Sequence, residues 1–155
     1  MFEAYFDPHH QSEQDRVLDI ARRDVLELAD SGDELRRVCR VVPRRQLPAL
    51  LRPLTSGTLH YVEKAIWRRA ANEIAIEMRP SLARTTITAT YRLREVFPGS
   101  IRRSYSGGVS VDVALVSSRI ERSIVAEFER SIPLAAACTQ SWLDRQGRRS
   151  VTARA

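Results

Sequence analysis

The hydrophobic period of this chain changes part-way along its length, and that change constrains the fold more than any other feature. Across 58–78, Leu59, Val62, Ile66, Ala70 and Ile74 step at three and four residues, the spacing of one helix face. Trp67, Ala71 and Met78 widen that face, which implies burial on more than one side. Across 85–94, Ile87, Ala89, Tyr91 and Leu93 alternate with Thr86, Thr88, Thr90, Arg92 and Arg94. That period of two, rich in β-branched residues, predicts a half-buried strand. A chain with both periods reads as α+β.

The flanking segments extend this reading. Val17, Ile20, Ala21, Val25 and Leu28 predict an amphipathic helix over 12–30, capped by Ser12 and stopped by Asp30-Ser31-Gly32. A short helix after Asp33 carries Leu35, Val38 and Cys39. Pro43, Pro48 and Pro53 break the next stretch into turns over 44–54, with Leu47, Leu50, Leu51 and Leu54 inward. Pro80 ends the helix of 58–78. Ile101 to Tyr105 predicts a second strand, Ser106-Gly107-Gly108 a hairpin turn, and 109–116 a third strand. Ser118 and Glu121 form a capping box before Ile120, Ile124, Phe128 and Ile132. Pro133 interrupts that helix, and a last one over 134–145 carries Leu134, Cys138 and Trp142, with Gly147 as its C′ residue.

The expected architecture is therefore α+β: a helical N-terminal half, a three-stranded antiparallel meander, and two C-terminal helices. One domain spans 1–155, with poorly anchored ends at about 1–12 and 147–155. The expected core is Val17, Val25, Leu28, Leu59, Val62, Ile66, Ile74, Ile87, Tyr91, Val111, Val113, Ile120, Ile124 and Phe128.

Charge gives the second constraint. Of 25 basic residues, only Lys64 is a lysine, and the net charge is +6. A GC-rich genome accounts for arginine over lysine as readily as a binding role does, but not for the charge imbalance. Arginine offers a planar fork that matches carboxylate and phosphate. Acidic partners, protein or nucleic acid, are expected. No apolar run approaches the roughly 18 residues of a membrane span, and the N-terminus lacks a signal-peptide pattern. The chain reads as not secreted and not membrane-spanning. Cys39 and Cys138 fit no metal spacing and are expected reduced and buried.

Chemistry-bearing motifs are absent. His9-His10, near Asp7 and Glu3, reads as a solvated pair rather than a metal site. There is no Gly-x-Ser-x-Gly elbow and no phosphate-cradling glycine loop. Asp112 stands alone without a second carboxylate. No catalytic, cofactor or metal residue is expected. The candidate anion or partner contacts are Arg92, Arg94, Arg102, Arg103 and Tyr105, clustered around the meander. If the arginines share one face, they make the basic stripe that a phosphate backbone needs, with Tyr105 available for stacking.

One family resembles the segment 44–120. Its residues are Arg45-Gln46-Leu47-Pro48-Ala49-Leu50-Leu51, then Ala65-Ile66-Trp67-Arg68-Arg69-Ala70-Ala71. Ser100-Ile101-Arg102-Arg103-Ser104 follows, and then Val109 to Leu115 with Ser117-Ser118-Arg119-Ile120. About half the chain resembles the minor tail and tail-completion proteins of tailed bacteriophages. That resemblance implies a ring-forming component at the head–tail junction, located in a virion. The functional expectation is a non-enzymatic structural or assembly protein, cytoplasmic or in a virion, forming homo-oligomers and contacting neighbouring assembly proteins. The alternative is a nucleic-acid binder that contacts DNA or RNA backbone through the sheet.

Overall fold

The computed structural model describes residues 2–44, 57–82, 84–98, 100–112 and 117–152. Two short helices, α1 (Phe2–Phe6) and α2 (Pro8–Val17), precede six strands. These are β1 (Ile20–Asp30), β2 (Glu34–Pro43), β3 (Tyr61–Arg68), β4 (Glu73–Pro80), β5 (Thr85–Phe97) and β6 (Ser100–Val111). A 36-residue helix, α3 (Ser117–Thr152), follows. The strands form one antiparallel sheet in the order β1-β2-β3-β4-β5-β6.

This architecture overturns the helical N-terminal half and the three-stranded meander. Residues 12–17 end α2, and Asp19 at φ 57° turns the chain into β1. The segment after Asp33 is β2, not a helix. The predicted helix over 58–78 is the hairpin β3–β4, turned by Asn72 at φ 47°. Asn tolerates the left-handed region because its short amide can bond locally. The strand of 85–94 is present within the longer β5, but Ser106-Gly107-Gly108 is no turn. Both predicted flanking strands merge into β6. The two C-terminal helices are one, because α3 runs through Pro133 and past Gly147. The turns over 44–54 lie, apart from Arg44, outside the described residues, as do Val113 and the end of the third strand.

The sheet presents one face to the helices. Across it run inward rows at matched register: Leu35, Trp67, Ile74, Tyr91 and Tyr105 in one, and Arg37, Ala65, Ile76, Ala89 and Gly107 in the next. The third row is Cys39, Glu63, Met78, Ile87 and Val109. Ala65, Ile74, Ile76, Met78, Ile87 and Ala89 form the main buried cluster together with Phe2 of α1. Burying one such aliphatic side chain contributes roughly 2 kcal/mol. Phe2 meets the Trp67 ring edge-on at 6.0 Å, and Phe6 stacks on it at 6.1 Å. Ile120 of α3 packs with Leu82 and Val111 in a second cluster.

The expected core is right in part, with Tyr91, Ile124 and Phe128 half-buried against the main cluster. Ile74, Ile87, Val111 and Ile120 are buried, whereas Val17, Val25 and Leu28 stand exposed. The Glu121 carboxylate of the predicted capping box accepts from the Val111 amide at 3.0 Å. It thereby ties the start of α3 to the end of β6.

Candidate functional site

A cavity of about 460 Å³ lies between the inward face of the sheet and the helices. Its wall is mainly apolar: Ile76, Met78 and Ile87 come from the sheet, and Ile124, Phe128 and Ile132 from α3. The alternation of β4 and β5 places the first three inward. The helical spacing of the last three aligns them on one side of α3. This volume falls within the range typical of small-molecule pockets.

Two polar clusters border the wall, apart from Arg103 of β6 and Ser123, Glu127 and Ser131 of α3. At one, Arg23 of β1 bonds Asp15 through Nε at 3.0 Å and lies 3.4 Å from Glu63 of β3. Arg37 of β2 shares Glu63 at 3.5 Å and donates to the Tyr5 carbonyl at 2.9 Å. Its guanidinium also lies 5.0 Å from the Tyr5 ring centre. Burial opposes the charge on Arg23, but Glu63 and Asp15 outweigh it and raise the guanidinium above its ordinary value. Burial, reinforced by the Glu63 charge, raises the Tyr5 and Tyr61 phenols, so both stay protonated.

At the second place, α2 meets α3. Asp7 caps α2, accepting from the amides of His9 at 2.8 Å and His10 at 2.9 Å, with Pro8 in the first turn. The cap points the two histidines apart: His9 is exposed and His10 fully buried. His10 Nε2 lies 3.2 Å from the Thr139 hydroxyl, and Gln14 donates to the same oxygen at 3.1 Å. Trp142 meets the imidazole edge-on at 5.4 Å. Burial holds this histidine below its ordinary pKa. The expectation of a solvated pair therefore fails for His10. The signal in the sequence is Asp7-Pro8, an N-cap followed by a first-turn proline that starts a helix at His9-His10. Among the described residues, no group of three His, Cys, Asp or Glu side chains is placed to hold a metal ion.

A family model described as "Protein of unknown function (DUF2505)" matches residues 2–143. The chain belongs to that family. The DUF2505 match runs from α1 into α3 and takes in the cavity wall described above. It overturns the resemblance to bacteriophage minor tail and tail-completion proteins, which rested on element order over half the chain. That element order is itself not the observed one, since 58–78 is a hairpin. No curated protein matches the chain.

Within the DUF2505 fold the five sequence-predicted contact residues divide between two faces. Arg92, Arg94 and Arg102 are exposed on the outer face. Arg94 stands directly opposite Arg102 across the β5–β6 pair. Arg92 is held by Glu73 at 2.6 Å. Arg103 and Tyr105 point the other way, toward the helices, because neighbours in a strand alternate. Arg103 lines the cavity and lies 5.5 Å from the Tyr91 ring centre. Tyr105 packs on Tyr91 with ring centres 4.8 Å apart. Burial and the Tyr105 phenol push the Tyr91 phenol up to about 12. The structure thus brings Arg94 and Arg102 together and separates both from Arg103 and Tyr105.

Many of the remaining arginines meet carboxylates of this same chain. Arg69 forks onto Asp30 at 2.8 and 2.7 Å, and that bond holds the Asp30 carboxyl at about 2. Arg36–Glu27, Arg68–Glu73, Arg79–Glu77 and Arg145–Glu13 follow the same rule. Many of the described arginines thus serve internal pairing on the sheet surface and at the helix contacts.

Proposed function

We propose that the protein binds an apolar small molecule in the cavity between its sheet and α3, without catalysing a reaction on it. The observation that carries this reading is the cavity itself: about 460 Å³, walled by Ile76, Met78, Ile87, Ile124 and Phe128. Such an apolar recess left to water forfeits dispersion contacts on its open side. A ligand restores them. The non-catalytic part rests on the carboxylates at the wall. Glu63 is held by two arginines and Glu127 by Arg130, so neither stands free as a general base.

This reading is preferred to the assembly role expected from the sequence, because the cavity is walled by one chain and needs no second copy. No helix among the described residues is long and apolar enough to cross a membrane. A cytoplasmic site of action belongs to the proposal, and the free thiols of Cys39 and Cys138 support it.

The test is uptake of Nile red, a neutral apolar dye whose emission rises in a dry pocket. One dye per chain is expected. Ser131→Trp, which places an indole into the cavity from α3, should weaken binding at least about tenfold, since it removes the space the dye fills. No saturable uptake, or equal uptake by the filled variant, sinks the reading.

The Arg94–Arg102 pair supports a second reading, contact with nucleic-acid backbone on the outer face of β5–β6. Like charges directly opposite on a sheet repel, and neither guanidinium meets a carboxylate among the described residues. Binding of a short DNA duplex should then fall steeply with salt and vanish in the double variant Arg94→Glu, Arg102→Glu. Salt-independent binding, or binding unchanged by the double variant, excludes it.

A further inference from the structure

We infer that the molecule held in the cavity carries one anionic group of the carboxylate class, and that Arg103 receives it. The inference rests on the reading of the cavity as a binding site. Arg103 stands opposite Leu93 on the inward side of β6 and is half-buried at the cavity wall. Its guanidinium packs on the Tyr91 ring at 5.5 Å, which fixes its place without neutralising its charge.

The other charges at the wall are already matched. Arg23 holds Asp15 and Glu63, Arg37 shares Glu63, and Glu127 is bonded to Arg130. Arg103 meets no carboxylate among the described residues. A lone cation beside apolar surface is costly unless something pairs with it. The group that pairs best with a guanidinium fork is a planar carboxylate, which accepts two parallel hydrogen bonds. At Tyr91, burial and the Tyr105 phenol raise the phenol and the positive charge of Arg103 acts against them. The apolar wall formed by Met78, Ile87, Ile124 and Phe128 then takes the hydrocarbon part, so the ligand class is an acid with an apolar body.

The experiment is displacement of Nile red from the full chain by decanoate and by decan-1-ol, which share a chain length and differ in charge. For the wild type, decanoate should displace the dye at a concentration about tenfold lower than decanol, the effect of one charge-assisted hydrogen-bonded contact. In Arg103→Met the two competitors should become equal while the dye itself still binds. Arg103→Gln replaces that variant if its melting transition shows that it does not fold. A wild type that binds dye but prefers neither competitor overturns the inference and leaves the cavity reading standing. So does a preference that survives in the variant. A wild type that takes up no dye overturns both.

Discussion

Arg23 of β1 and Glu63 of β3 meet at 3.4 Å across the intervening strand β2, with only 9% and 7% of their side chains open to solvent. Asp15 of α2 grips the same guanidinium at 2.9 Å, so one arginine ties a helix, an edge strand and a central strand together. The cluster is balanced, two arginines (23 and 37) against two carboxylates (Asp15 and Glu63). Breaking one member of a buried pair costs far more than deleting an exposed one, because the partner charge stays buried.

Glu63→Gln should therefore lower stability by about 3 kcal/mol, within the range for one-sided removal of a buried charge. Urea unfolding at neutral pH measures it. A loss below about 0.5 kcal/mol, the ordinary surface range, would show that the cluster does not hold the sheet edge.

Gly107 and Gly108 should respond in opposite ways to the same substitution. A Cβ on Gly107 would come 2.6 Å from the Thr88 carbonyl and 3.2 Å from the Tyr105 hydroxyl, while one on Gly108 meets nothing within 4 Å. Gly107→Val is expected to cost about 2 kcal/mol through forced backbone movement. Gly108→Val should be close to neutral. Thermal melts of the two variants decide the point, and equal melting temperatures would contradict it.

His10 makes stability depend on pH in the mildly acidic range. Its folded-state pKa is lowered, chiefly by burial, against weaker opposite pulls from Glu13 and Asp7. The unfolded chain therefore takes up a proton below about pH 6.5 while the folded protein resists it. Stability from this site is present above that pH and is lost as pH falls through it toward the folded value. Between about pH 7.5 and pH 5.5, wild type should lose more stability than His10→Gln. Urea midpoints at the two pH values give the comparison, and equal losses refute it.

The two thiols should label at different rates. Cys39 is fully buried between strands, whereas Cys138 on α3 is partly open. Burial raises both thiols above their ordinary value and slows thiolate formation. A maleimide reagent should modify Cys138 first and reach Cys39 only on unfolding. Simultaneous labelling of both in the native protein would contradict the burial of β2.

What could be read from the sequence followed how cleanly each strand separates its faces. In β5, inward Ile87 and Ala89 alternate with exposed Thr86 and Thr88, so the period of two is visible. In β3 it is hidden: Glu63 occupies an inward position, and outward Val62 and Ile66 are half-buried. With Ile74 from the next strand they imitate a helical stripe, although Ile74, Ile76 and Met78 alternate openly in β4. Gly107 and Gly108 resembled a turn, yet the first is needed where β6 passes close to Thr88 and Tyr105. Pro133 resembled a break, yet α3 continues through it. The carbonyl that loses its helical partner there belongs to Glu129, an exposed residue, so water can satisfy it. For the site, Arg103 is one of the arginines the sequence points to, and it lines the cavity wall. That neighbouring Arg102 and Arg103 point opposite ways follows only once both are known to lie in one strand. The cavity was invisible, since it depends on pairing all six strands.

The unbroken strand order also says how the chain can assemble. Every strand pairs with its immediate successor, so each hairpin can zip against the last with little loop entropy to overcome. The joint between α2 and α3 is different: His10 and Thr139 are 129 residues apart. That contact can form only after the sheet has brought the two ends of the chain together. The side of the cavity where α2 meets α3 therefore rests on contacts between the two ends of the chain, while its sheet side rests on contacts between neighbours in sequence.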